Sequence, residues 1–144
     1  MHRVSRTAVL PVLIVLAVLA GCGGTAAEGG QPPPAQMERV GHRGALSVVL
    51  TPLGAQRIGI QTGAATPAGP GRTVVPYSAL LYQVDGSSVI YTVTAPFTYT
   101  LVTASVTSIQ GNQVYLTGLA PGTMVVTVGG EELLGVQDGV GIQT

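Results

Sequence analysis

The sequence is poor in charge and contains neither lysine nor tryptophan. All six basic residues are arginine, six residues are acidic, and these twelve make up 8% of the 144 residues, with a formal net charge of zero. Such a chain has no basic field with which to hold a polyphosphate backbone. The composition therefore argues against nucleic acid as a partner.

Cysteine and histidine are also scarce. Cys22 is the only cysteine, which excludes an intramolecular disulfide framework and every multi-cysteine metal site. A hydrolase needs a nucleophile beside a base, usually histidine, and His42 is the only histidine after Cys22. The adjacent Glu131 and Glu132 point to different sides on a strand or a helix, so they form no catalytic pair. We predict a protein that is not an enzyme and has no cofactor and no metal.

The N-terminal residues have the pattern of a secretory signal, with two arginines, an apolar run over residues 8–19 and small residues after it. The run holds roughly a dozen apolar residues and includes Pro11, whereas a bilayer span needs about 20. We therefore expect residues 1–21 to be a cleaved signal peptide.

The end of this leader, Leu19-Ala20-Gly21-Cys22, resembles the lipobox of bacterial lipoproteins, in which cleavage precedes the cysteine and its thiol carries diacylglycerol. The resemblance implies that Cys22 is a lipidation site. Two or more acyl chains hold a protein stably on a membrane where one does not. We expect a protein of the cell envelope, anchored on the outer face of the cytoplasmic membrane or the periplasmic side of an outer membrane.

Residues 22–45 are rich in Gly, Ala, Pro and Gln, and such a composition cannot bury a core. We expect a flexible linker that carries the lipidated cysteine and has a mean reach of roughly 25 Å. Met37, Glu38 and His42 lie near its end, and a thioether with an imidazole suits a soft metal. Because such groups bind weakly in a flexible polar linker, we interpret them as solvated residues.

Residues 46–144 predict an all-β domain, either a small barrel or a sandwich, because apolar or β-branched runs alternate with Gly, Pro, Asp and Asn turn signals at about 10 to 12 residues. The predicted strands cover residues 47–51, 58–62, 72–75, 80–82, 88–94, 98–108, 113–117 and 124–128. Residues 63–71 predict a loop, since prolines and glycines leave little for a strand ladder. Residues 131–134 are compatible with one helical turn.

Within the predicted strand 88–94, Val89, Tyr91 and Val93 fall on one face, and Ile90, Thr92 and Thr94 fall on the other. Residues 124–128 are apolar nearly throughout, as expected of a strand that is buried on both faces. The sequence thus predicts that residues 124–128 form a strand buried on both faces.

Three stretches together resemble the periplasmic adaptor family, the membrane fusion proteins of tripartite efflux pumps. They are Val75-Pro76-Tyr77-Ser78-Ala79-Leu80, Ser88-Val89-Ile90-Tyr91-Thr92-Val93 and Gly118-Leu119-Ala120-Pro121-Gly122-Thr123-Met124-Val125-Val126-Thr127-Val128-Gly129. Residues 131–135 are similar to the family's closing segment, and residues 47–66 to its opening segment. The order and spacing of these stretches carry the resemblance.

The resemblance implies a membrane-proximal β-domain that contacts an inner-membrane efflux transporter, and it makes five residues candidates for that contact: Pro76, Tyr77, Ser78, Pro121 and Gly122. Residues 63–71 stand where family members carry lipoyl half-motifs, a helical hairpin and a barrel domain. We expect a lipid-anchored, reduced adaptor subunit that binds or modulates a transporter. The alternatives are a free-standing lipoprotein module for a cell-wall or small ligand, and a truncated remnant without function.

Overall fold

The computed structural model describes residues 33–40 and 45–139, and two antiparallel β-sheets dominate that part of the chain. The elements are β1 (Ala35–Val40), β2 (Ala45–Leu50), α1 (Pro52–Ile58), β3 (Gln61–Ala64), β4 (Thr66–Pro67), β5 (Arg72–Pro76), a 3-10 turn (Tyr77–Ala79), β6 (Leu81–Tyr82), β7 (Ser88–Ala95), β8 (Thr98–Thr103), β9 (Ser105–Gln110), β10 (Gln113–Thr117), β11 (Met124–Val128) and α2 (Gly130–Gln137). The expected signal peptide, Cys22 and His42 lie outside the described residues.

The first sheet has the strand order β1-β2-β8-β7-β11-β3, and the short β6 pairs with the beginning of β7. The second sheet has the order β4-β5-β10-β9. The two sheets pack in a sandwich-like arrangement and do not form a closed barrel. The all-β prediction is confirmed, and of the two architectures the sandwich is the one observed.

Strand β7 lies between two hydrophobic cores, and its side chains alternate between them. The first core lies between the first sheet and the helices, and its buried members are Val48, Leu50, Ala55, Leu81, Val89, Tyr91, Tyr99, Val126 and Leu133. The second core lies between the sheets, and its buried members are Ala65, Val75, Ala79, Leu80, Ile90, Ala104, Val114, Leu116 and Val125. The predicted alternation along β7 is confirmed, as is the burial of Val125 and Val126 on opposite faces of β11.

The run predicted as one strand over residues 98–108 is two strands in different sheets. It breaks at Ala104, whose buried amide donates to the Ser88 carbonyl at 2.8 Å. Val102, Ala104 and Val106 all pack on the second core, so the side-chain alternation continues while the chain crosses from β8 to β9. The side-chain alternation along residues 98–108 therefore did not indicate that the chain passes from one sheet to the other.

The loop predicted over residues 63–71 is wrong for its first part, because Gly63 belongs to β3 and residues 66–67 form β4. Both strands lie at sheet edges, where proline and glycine are tolerated. Between them the chain crosses from one sheet to the other at the buried Ala65. The Ala65 amide donates to the Thr123 carbonyl, and the Gly122 amide donates to the Ala65 carbonyl, each at 2.8 Å.

The linker predicted up to residue 45 is also wrong over Ala35–Val40, because these residues form β1 and pair with β2. Ala35 and Met37 are half-buried against the first core, whereas Gln36 and Glu38 are exposed. This alternation is a strand signal that the polar composition masked. The folded part of the chain therefore begins about ten residues before the predicted boundary at residue 46.

Helix α1 begins at Pro52, where the sequence indicated the end of a strand, and it continues to Ile58. The strand predicted over residues 58–62 is therefore wrong for its first part, because β3 begins at Gln61. The Thr51 side chain caps α1 by accepting from the Gly54 amide at 3.0 Å, and Pro52 occupies the first turn, where its missing N–H costs no bond. Gly59 ends it with a φ of 74°. Helix α2 is longer than the single turn predicted and continues through Gly135 to Gln137.

Candidate functional site

An open groove of about 410 Å³ lies where the 3-10 turn meets the end of β11 and the beginning of α2. One side is formed by Tyr77, Ser78, Leu80 and Leu81, and the other by residues 127–132. We call these residues, together with the neighbouring Tyr82, the tyrosine groove. It is the place where the largest exposed aromatic side chains of the described chain come together.

The 3-10 turn holds Tyr77 in place. The Tyr77 amide donates to the Asn112 carbonyl at 2.9 Å, which ties the turn to the β9–β10 hairpin, and the Leu80 amide donates to the Tyr77 carbonyl at 3.0 Å. Ala79 is buried in the second core, so the turn has little freedom to move away from β11. Tyr77 is nevertheless 41% exposed, because its ring lies on the outer side of this fixed turn.

Tyr82 stands beside Tyr77 and is 52% exposed. The nearby Tyr77 phenol raises the pKa of Tyr82, and desolvation acts in the same direction. β6 fixes the position of Tyr82 by pairing it with Ser88 of β7. Two exposed tyrosines thus lie near one another at one edge of the groove.

The opposite side of the groove is acidic. Glu131 and Glu132 lie in the first turn of α2, where the helix dipole favours negative charge. Gly129 precedes the helix with a φ of 88°, and Gly130 lies so close to Leu81 that an added Cβ would sit 3.0 Å from its Cδ1 atom. The residues that line the groove include two carboxylates and no basic side chain.

The structure separates the five candidate contact residues into two places. Tyr77 and Ser78 line the tyrosine groove, and Pro76 is exposed immediately before them. Pro121 and Gly122 precede the beginning of β11, whereas the groove includes residues at its end, about 13 Å away along the strand. Pro121 instead lines a separate shallow depression with Arg72 and Leu119.

Sequence reasoning missed Tyr82, Val128 and the two glutamates as neighbours of Tyr77. Tyr77 and Tyr82 flank a run whose middle residues, Ala79 to Leu81, are buried, so exposed aromatics at both ends of a buried run were the available signal. The glutamates were considered as a catalytic pair, as part of one helical turn and as part of a segment that resembles the adaptor family, but not as neighbours of Tyr77. Their approach to Tyr77 depends on the packing of the 3-10 turn against β11, which no local pattern shows.

Several hydroxyl groups of the described residues form hydrogen bonds within the fold. The buried Ser47 Oγ and Thr100 Oγ1 lie 2.8 Å apart, and Thr100 Oγ1 also lies 2.9 Å from Oγ1 of the exposed Thr94. In this part of the chain each buried side-chain nitrogen or oxygen has a partner, and no three His, Cys, Asp or Glu side chains gather in a metal-binding arrangement. The tyrosine groove, which is open and rigidly framed, is the arrangement that suits a ligand or partner.

Comparison with protein-family models, curated proteins and solved structures finds no match to this chain. Over residues 33–40 and 45–139, none of the helices has the length and apolar character needed to cross a membrane.

Proposed function

We propose that this chain is a lipid-anchored, non-catalytic subunit that binds the extramembrane part of an envelope transporter through the tyrosine groove. The observation that carries the proposal is an open groove lined by the half-exposed Tyr77, with the half-exposed Tyr82 nearby. Tyrosine is enriched in the well-packed centres of protein interfaces because it combines a large apolar ring with a polar end. The lipobox resemblance at Cys22 supports the anchor.

The chemistry of the groove indicates what the partner presents. Its apolar surface comes from Leu80, Leu81 and Val128, and its charge comes from Glu131 and Glu132. An arginine or lysine beside an apolar side chain fits this combination, because the cation interacts with the carboxylates and with the face of a tyrosine ring. We therefore expect the transporter to contribute a basic, partly apolar segment.

Gentle cross-linking in membranes followed by purification of the lipidated full-length chain tests this proposal. We expect a transporter subunit to co-purify, and the double variant Tyr77→Ala, Tyr82→Ala to recover about ten-fold less of it, the effect of losing somewhat more than 1 kcal/mol of binding. Ile109→Ala is the control, since Ile109 is similarly exposed on β9. Recovery of no transporter subunit with the native chain would overturn the proposal.

A free-standing binding module is the second candidate. The groove volume of about 410 Å³ lies within the range of small-molecule sites, which favours it. A cell-wall fragment or small ligand recovered with the native chain, in place of a transporter, would support this candidate. The same tyrosine variants would then lower retention of that ligand.

A further inference from the structure

The chain enters the fold at one end of the first sheet. The Thr51 amide donates to the Pro34 carbonyl at 3.0 Å, and the Leu50 amide donates to the Phe97 carbonyl at 2.9 Å. Pro34, the first turn of α1 and the β7–β8 turn that contains Phe97 therefore lie together at this end. Pairing of Ala35 with Leu50 places the beginning of β1 there as well.

Two large apolar side chains are exposed at this end. Leu53 in the first turn of α1 is 50% exposed, and Phe97 at the tip of the β7–β8 turn is 40% exposed. No acidic residue occupies the first turn of α1. This end of the fold thus exposes apolar side chains. The first turn of α1 has no carboxylate that would repel anionic lipid headgroups.

Phe97 has an unfavourable backbone conformation as well as an exposed ring. Its φ is 57°, and it is the one non-glycine residue with positive φ in the described chain. Bulky residues rarely adopt a positive φ. In a turn with proline at its second residue and positive φ at its third, the third residue is normally glycine or asparagine. A strained, exposed phenylalanine is an outlier of the kind that marks a functional contact.

The distance to the anchor is short. Ten residues, 23–32, separate Cys22 from Pro33, so the segment spans at most about 40 Å when fully extended. If Cys22 is lipidated, the end of the fold that carries Pro34 is the end held nearest to the bilayer.

From these observations we infer that Phe97 and Leu53 contact the bilayer surface and orient the domain on it. Amphipathic protein surfaces bind membranes by inserting such apolar side chains at the level of the headgroups. Tyr82 lies at the opposite end of β7, about 23 Å away, so the tyrosine groove is held above the membrane. This inference rests on the anchor in the proposed function and does not depend on a transporter.

The absence of tryptophan from the chain allows a direct test, because a single introduced indole reports its own surroundings. The full-length lipidated variants F97W and V84W are incorporated into vesicles of phosphatidylethanolamine, phosphatidylglycerol and brominated phosphatidylcholine, without a transporter. V84W is the matched control, since Val84 is fully exposed in the β6–β7 turn at the opposite end of the sheet. Circular dichroism verifies that both variants fold.

We expect brominated lipid to quench the emission of F97W at least two-fold more than that of V84W, with emission from F97W shifted to shorter wavelength. The double variant F97W, Leu53→Gln, which removes the other large apolar side chain exposed at this end, should be quenched less. Equal quenching of F97W and V84W would overturn the orientation. A mass spectrum without lipid on Cys22 would overturn both the anchor and this inference, whereas loss of transporter binding alone would affect only the proposed function.

Discussion

At the scale of single residues, Tyr91 connects the two layers of the first core. Its ring is fully buried in β7, and its hydroxyl donates to Gln137 Oε1 at 3.0 Å, at the last residue of α2. Burial raises the pKa of Tyr91, and the negative charge of Asp138 acts in the same direction. One side chain therefore contributes both packing and the bond that holds the end of α2.

We predict that Tyr91→Phe lowers the free energy of unfolding by about 1 kcal/mol, because it removes one intramolecular hydrogen bond and keeps the ring. Urea denaturation measures the change. Tyr115→Phe is the control, since the Tyr115 hydroxyl bonds to Gln113 in an exposed position and its loss should have almost no effect. Equal effects of the two substitutions would contradict the role of Tyr91.

The raised pKa of Tyr91 also predicts a loss of stability in alkali. Above the ordinary tyrosine pKa of 10.0, the unfolded chain releases the phenol proton while the folded chain retains it, so the unfolded state is favoured as the pH rises. The free energy of unfolding should therefore fall with increasing pH between 10.0 and the raised folded value. Urea denaturation at several alkaline pH values should show a shallower fall for Tyr91→Phe than for the native chain.

At the scale of elements, Gly129 joins β11 to α2 and lies next to Ile58 at the end of α1 and Ile60 just before β3. Its φ is 88°, and an added Cβ would lie 2.6 Å from Ile60 Cδ1 and 2.9 Å from Ile58 Cγ2. The junction therefore requires glycine both for its backbone conformation and for the close approach of the two isoleucines. The direction of α2, and with it the acidic side of the tyrosine groove, depends on this residue.

We predict that Gly129→Ala lowers the free energy of unfolding by about 2–4 kcal/mol, from left-handed strain and overpacking together. Gly111→Ala separates the two effects, because Gly111 also has positive φ, at 56°, but has nothing within 4 Å of an added Cβ. It should cost only about 1–2 kcal/mol. Thermal and urea denaturation of both variants measure the difference, and equal losses would exclude a packing role for Gly129.

Elements with local signals were predictable from the sequence, and elements that depend on distant contacts were not. The turn between the predicted strands 80–82 and 88–94 was found because Asp85-Gly86 is one of the turn signals. The structure shows β6 and β7 paired there, with the Gly86 amide donating to the Gln83 carbonyl at 2.9 Å. β1 was missed because its polar composition masked the alternation, and its stabilisation comes from pairing with β2. Of the tyrosine groove, Tyr77 and Glu131 lay in recognised stretches and Tyr82 lay in a predicted strand, but that they lie close together follows only from tertiary packing.

At the scale of the whole molecule, the sandwich has two ends with different character. One end carries Pro34, Leu53 and Phe97, and the other carries Tyr82 and Val84, with β7 running between them. In the arrangement that we propose, the first end faces the lipid and the tyrosine groove faces a partner above it. The short segment after Cys22 would then set the height of the groove over the membrane.

We predict that Cys22→Ala moves the full-length protein from the membrane fraction to the soluble fraction, because the two exposed side chains Leu53 and Phe97 bind a bilayer only weakly without acyl chains. Fractionation and immunoblotting measure the distribution, and mass spectrometry of the native protein detects the lipid. The variant should unfold like the native domain, since Cys22 precedes the described residues. Unchanged membrane retention would contradict an anchor at Cys22.

The most direct test of the central claim is photo-cross-linking from the tyrosine groove in native membranes. A photoreactive phenylalanine analogue replaces Tyr82 in the lipidated full-length chain, and the same analogue at Ile109 serves as the control. Our account predicts that the analogue at position 82, and not at 109, forms an adduct with an integral membrane transporter, at a basic segment identifiable by mass spectrometry. Adducts at position 82 only with cell-wall material or soluble proteins, or no adduct at all, would contradict it.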